Sequence, residues 1–291
     1  MSEALSLFKQ RTVRVLLLVY LVAVPYWLWI SLTGQVSSVH NYVWSLIFLG
    51  IFPVFAGVSG ILLSKKWGFL SAALGRAIFF FSAGVVAWGV GSIIFAYYNL
   101  VLGIEVPSPG LADVVYVLSY PFWALGLINL GRGMGAGYKL RTSKGKIAIV
   151  LIPIIGLALT YFIFVTIVQG GVFDFKDAGF IKIFLNIFYP LGDFAIITGI
   201  GLIYSLSYKM FGGRFKWPIN ILLIGQFVLY CADSGFSYTA IQETFYVANW
   251  VDLLFAHALL LLSVGVNALD IQGISSRVRA ELVTFAPRAG A

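Results

Sequence analysis

Eight stretches of about 20 mostly apolar residues run through this chain, each long enough to cross a 30 Å hydrocarbon layer as a helix rising 1.5 Å per residue. They are Val13–Leu32, Val43–Ser64, Ala73–Tyr97, Leu111–Leu130, Ile147–Val168, Ile181–Ser207, Pro218–Tyr238 and Trp250–Leu269. Polar or Gly/Pro-rich breaks such as "TGQVSSVHN", "IEVPSPG", "QGGVFDFKDAG" and "FGGRFKWP" separate them. Hydrocarbon offers no hydrogen-bond partner, so a spanning segment must satisfy its own backbone. The expected fold is an all-α integral membrane protein, a bundle of about eight transmembrane helices with both termini on the inner side. A chain that is 60% hydrophobic and 10% charged lies outside the soluble globular range. The first segment is longer than a signal-peptide core of roughly 7–15 residues and shows no clear small-residue cleavage site.

Charge sets the expected orientation. With the N-terminus inside, 17 of the 19 Lys and Arg residues fall on the inner side, leaving Lys176 and Lys182 outside. The net charge of +8 is therefore read as membrane orientation, and no nucleic-acid partner is expected. The chain divides into a single polytopic domain, residues 1–270, and a short cytoplasmic tail, 271–291. The expected location is the cell (plasma) membrane, with the lipid bilayer as principal partner. The inner loops and tail are too short to fold as catalytic domains. Cys231 is the single cysteine, which excludes an intramolecular disulfide and a cysteine-based zinc site.

Helical spacing sorts the polar residues inside the spans. Asp113, Tyr116 and Tyr120 share a face of the fourth segment at i, i+3, i+7. Asn186, Tyr189 and Asp193 repeat that spacing on the sixth, and Gln226, Tyr230, Asp233 and Ser237 form a stripe on the seventh. Asp252 and His257 begin the eighth but point to different sides. The topology puts Asp113 and Asp252 near the outer mouth, Asp233 in the outer third and Asp193 near the midplane. An aspartate at that depth costs about 2.5–3.5 kcal/mol on insertion scales unless it is paired or wet. Pro190 cannot donate a backbone hydrogen bond, so a kink is expected there that frees the Asn186 carbonyl. The candidate ligand-binding set is Asp113, Tyr116, Tyr120, Tyr189, Asp193, Tyr230, Asp233 and Asp252. No cofactor is expected, and no metal-ligand set is assigned.

Each of these residues also has a structural reading. Asp113 follows "PSPG" in a first helical turn, where an acid interacts favourably with the helix dipole. Asn249 and Asp252 resemble a capping pair. Asp233 could accept hydrogen bonds from tyrosines, and His257 reads as a packed histidine. Ala83, Ala87 and Gly91 form a row of small residues suited to close helix packing. "GRGMGA" (Gly131–Ala136) fits a dinucleotide-binding pattern formally, but it follows a span rather than a strand and is read as an inner loop. The intramembrane aspartyl-protease signature G-x-G-D meets "PLGD" here, with Pro190 in place of the first glycine and Asp233 as the only plausible deep partner.

From about Trp88 to Asp270 the chain resembles a family of multi-span prokaryotic membrane domains. These occur alone or ahead of diguanylate cyclase (GGDEF) and sensor histidine kinase modules. The landmarks are "PSPGLADVVYVLSYP", "YPLGD" and "YCADSGFSY". The family's first landmark reads P-S-L-A-D, so Pro109–Gly110 is an addition here, and no output domain is expected after Asp270. The resemblance implies an input or sensing module and supplies no ligand.

The leading expectation is a non-enzymatic sensor or ligand-binding module with an outward-facing Asp/Tyr cavity, signalling through a separate cytoplasmic partner. A transporter of protons, cations or a small cationic solute comes second, and an intramembrane enzyme of aspartyl-protease type third.

Overall fold

A computed structural model describes residues 10–107, 109–136, 142–168, 170, 179–207 and 215–270. The tail assigned to 271–291 lies outside them, as do Lys176 and the loop residues Lys139, Arg141, Lys209 and Arg214. The described residues form eight long apolar helices, those of a multi-pass membrane bundle: α1 (Arg11–Leu32), α2 (Val39–Lys66), α3 (Ala73–Leu102), α4 (Leu111–Gly133), α5 (Ser143–Val168), α6 (Phe180–Ser207), α7 (Lys216–Ile241) and α8 (Trp250–Asn267). No strand occurs among them. Seven helices overrun the expected segments by a few residues while α8 ends two residues short, and α4 continues through Gly131–Gly133, so "GRGMGA" begins as helix rather than loop.

Successive helices run in opposite directions. The Trp44 indole N–H on α2 donates to the Ala23 carbonyl on α1 at 2.8 Å. Gly50 and Gly57 of α2 abut Ile93 and Val86 of α3, and Gly84 and Gly91 of α3 abut Trp123 and Tyr116 of α4. Gly225 and Gly235 of α7 meet Leu262 and Trp250 of α8 in the same antiparallel sense. Helices two apart run in parallel: Gly192 and Gly199 of α6 lie against Tyr120 and Leu127 of α4. Glycine is required at these crossings because a side chain would meet the facing helix. Of the expected small-residue row, Gly91 faces α4, and Gly84, seven residues earlier, meets the same helix.

The chain ends of the bundle therefore sit together. Gln10 Nε2 donates to the Ala268 carbonyl at 2.8 Å, Trp67 Nε1 to the Leu269 carbonyl at 2.9 Å, and Lys66 pairs with Asp270 at 3.0 Å. Arg11, Arg14, Lys65, Arg76, Arg132, Lys144, Lys146 and Lys216 cluster at the same end of their helices. We call this the basic end.

Burial distinguishes the helices. α8 is central, packed on α1, α2, α3 and α7, whereas α5 touches mainly α6 and α7 and exposes Ile147, Val150, Ile154 and Leu157. In three places the α-helical ladder widens to π geometry, at Leu46–Ile51, Tyr98–Leu102 and Phe162–Val168. The first precedes Pro53, whose missing N–H and bulky ring disturb an α-helical ladder. By contrast α6 is continuous helix through Pro190.

Gly89 tests the close crossing of α2 and α3. A Cβ there would lie 2.8 Å from the Gly50 carbonyl oxygen. Gly89→Val should destabilise the protein by about 1–3 kcal/mol, as overpacking does. Gly131→Ala, whose nearest neighbour would be 3.7 Å away, should leave the melting temperature within a degree or two of wild type. Thermal unfolding of the detergent-solubilised protein reads both.

Candidate functional site

The half of the bundle away from the basic end encloses a cavity of about 420 Å³. All eight sequence-predicted site residues line it. α4 supplies Asp113, Tyr116 and Tyr120, α6 supplies Tyr189 and Asp193, α7 supplies Tyr230 and Asp233, and α8 supplies Asp252. Asn186, Pro190 and Ser237 line it too. Gln226 does not: it lies deeper toward the basic end, fully buried, and its amide finds no partner among the described residues. His257 faces away, its ring edge against Tyr20 at 5.4 Å and its Nδ1 2.7 Å from the Leu253 carbonyl oxygen. Cys231 is an exposed free thiol on the outer side of α7.

The four carboxyl groups fall into two kinds. Asp113 and Asp252 sit in the first turns of α4 and α8 and hold backbone there. Asp113 Oδ2 accepts from the Gly110 N–H at 2.9 Å, and Asp252 Oδ2 accepts from the Ala248 N–H at 2.6 Å. Asn249 Oδ1 completes the second cap by accepting from the Val251 and Asp252 N–H groups. Such reciprocal caps satisfy orphan donors that hydrocarbon could not. Asp113 also reaches across the cavity, its Oδ1 accepting from the Tyr189 hydroxyl at 3.4 Å.

Asp193 and Asp233 cap nothing. Asp193 lies halfway along α6 and Asp233 about two turns from the end of α7. They are 7% and 9% exposed, and the two carboxyl groups are close neighbours in the cavity wall. Tyr120 donates its hydroxyl to Asp233 Oδ2 at 3.0 Å. No backbone N–H, amide or hydroxyl of the described residues donates to the buried Oδ1 of Asp193. Gly192 in "YPLGD" makes this arrangement possible, because any side chain there would collide with the Tyr120 ring.

Aromatic rings form much of the remaining wall. Trp88 stands 4.8 Å from Tyr116 and 5.2 Å from Phe255 between ring centroids, and Phe236 is 4.8 Å from Phe245. Tyr120 packs edge-on to Tyr189 at 5.7 Å. Among the described residues that line the cavity, none is Lys, Arg or His. Periodicity missed the contributions of Trp88 and Ser92 on α3, Leu49 on α2, and Ile163 and Phe164 on α5. The last three lie in π segments, where the extra residue per turn rotates side chains off the α-helical face.

No protein-family model, curated protein or solved structure matches the chain. The architecture and the site define it as a multi-pass helical membrane protein with an acidic, aromatic intramembrane cavity.

The two kinds of carboxyl should respond differently to substitution. Asn249→Ala removes a helix cap and should cost about 0.5–2 kcal/mol. Asp193→Asn keeps the shape, removes a buried carboxyl with an undonated oxygen, and places an N–H beside Asp233, so it should raise the melting temperature. Thermal unfolding decides this, and a melting temperature lowered by Asp193→Asn would make the pair structural.

Proposed function

We propose that this chain is a plasma-membrane sensor or ligand-binding module with both termini cytoplasmic. In this reading the Asp/Tyr cavity opens outward, and its occupancy is relayed to the basic end, where a separate signalling partner reads it. The observation that carries the reading is the convergence of polar residues from α4, α6, α7 and α8 on one cavity in the half farthest from the basic end. Basic residues favour the cytoplasmic side, which supports the orientation. A pocket of this size, mostly apolar with a few convergent polar groups, is the usual form of a small-molecule site.

The relay would run through α8. One end of this helix contributes Asp252 and Phe255 to the cavity, and the other, about 27 Å away, leads to residues 268–270 held by Gln10, Lys66 and Trp67. Below the cavity the bundle is tightly packed: Trp123, Ile196, Leu222, Leu229, Leu259 and Leu262 are all at most 1% exposed. That apolar floor favours a binding module over the alternative, a transporter of protons, cations or a small cationic solute. The facing Asp193 and Asp233 carboxyls favour a third reading, since an aspartyl hydrolase activates water between two such groups.

Ser234→Phe fills the cavity and should act as a surrogate occupant. Hydrogen exchange of the purified protein should then change at residues 266–270, remote from the substitution. Unchanged exchange there would remove the relay. Solute flux in proteoliposomes that is abolished by the same substitution would favour the transporter instead. Cleavage of a membrane-helix substrate abolished by Asp233→Asn would favour the enzyme.

The orientation is tested separately. With Cys231 replaced by Ser, a cysteine introduced at Val106 should react with an impermeant maleimide in intact cells. One at Lys144 should react only after permeabilisation.

A further inference from the structure

Resting on the reading of the cavity as a ligand site, we infer that its ligand is an organic ammonium ion bearing N–H donors on an apolar body. It docks on the Asp193–Asp233 carboxyl pair. Among the described residues, four carboxyl groups and no basic side chain line the cavity, so a cation is the charge it can hold. Asp113 and Asp252 already accept from backbone N–H groups, which leaves the deeper pair as the anchor. The buried Oδ1 of Asp193 receives no N–H or hydroxyl donor from the described residues, and a protonated amine supplies one as a charge-assisted hydrogen bond.

The walls argue for an organic ion rather than a metal. Among the described residues no three His, Cys, Asp or Glu side chains are grouped to hold a metal ion. The carboxyls instead line a space of about 420 Å³, far more room than a bare cation fills. Trp88, Phe236, Phe245 and Phe255 give that space aromatic faces, which attract a cation electrostatically and bury an apolar body. Neutral ligands gain from the walls but leave the acidic pair unneutralised.

The test is binding to the detergent-purified full chain at pH 7, read by thermal shift and titration calorimetry. 2-Phenylethylammonium is the probe. 2-Phenylethanol is its neutral counterpart, and benzyltrimethylammonium has the charge without N–H. 2-Phenylethylammonium should stabilise the protein and bind about tenfold or more tightly than either comparator, the margin of one charged hydrogen bond. The preference should vanish in Asp193→Asn/Asp233→Asn, and binding itself in Ser234→Phe. Equal binding of the three compounds would overturn the inference, as would binding that survives the double substitution. So would stabilisation by Na⁺ or Ca²⁺ that depends on the pair. If no probe binds while Ser234→Phe still alters exchange at 266–270, the ammonium ligand is wrong and the sensor reading stands. If both are silent, both fall.

Discussion

Hydrocarbon gives a polar group nothing to bond to, and the rest of this structure depends on that. The backbone answers by coiling into eight helices, and side chains answer by finding partners on neighbouring elements. Trp27 donates to the Ala248 carbonyl, Asn41 to Val247, Trp44 to Ala23 and Asn267 to Ala56. Three of the four join elements distant in sequence, tying α8 or the loop before it to α1 or α2. The helix at the centre of the bundle is thus held by directional bonds as well as by packing, and those bonds fix its rotation. Without that fixed rotation, Asp252 and Phe255 would not both face the cavity.

Within such a frame, a polar group that stays unsatisfied stands out. Asp113 and Asp252 are expensive residues that earn their place by capping helices. Asp193 and Asp233 do not cap, and one oxygen of the pair has no backbone N–H, amide or hydroxyl donor among the described residues. Local rules are broken most often at functional sites, where stability is given up for binding or chemistry. The surrounding geometry maintains the arrangement: Gly192 admits the Tyr120 ring, and the Tyr120 hydroxyl holds Asp233. α4 and α7 are therefore linked across the cavity by a side-chain bond rather than by helix packing.

Much of the site was legible before any coordinates because helical periodicity reports which residues share a face. The stripes on α4, α6 and α7 predicted the lining residues from those helices well. Gln226 shows where that logic stops: it belongs to the same stripe as Tyr230 and Asp233, but the cavity ends above it. Trp88, Leu49 and Phe164 show the converse. They are ordinary apolar residues in the sequence, and two of them lie in π segments where an α-helical period assigns the wrong face.

The sequence by itself determined the number of long apolar helices, their alternation and how far along its helix each carboxyl group lies. Apolar length, backbone self-satisfaction and loop charge are local properties that need no knowledge of neighbours. Tertiary structure alone decided that the stripes face one another around a single cavity and that Asp193 meets Asp233. Those outcomes depend on helix order and rotation in the bundle. Crossings between helices far apart in the chain set them, such as Gly192 against Tyr120 and Gly60 against Val266. No local pattern encodes which of several apolar faces will meet.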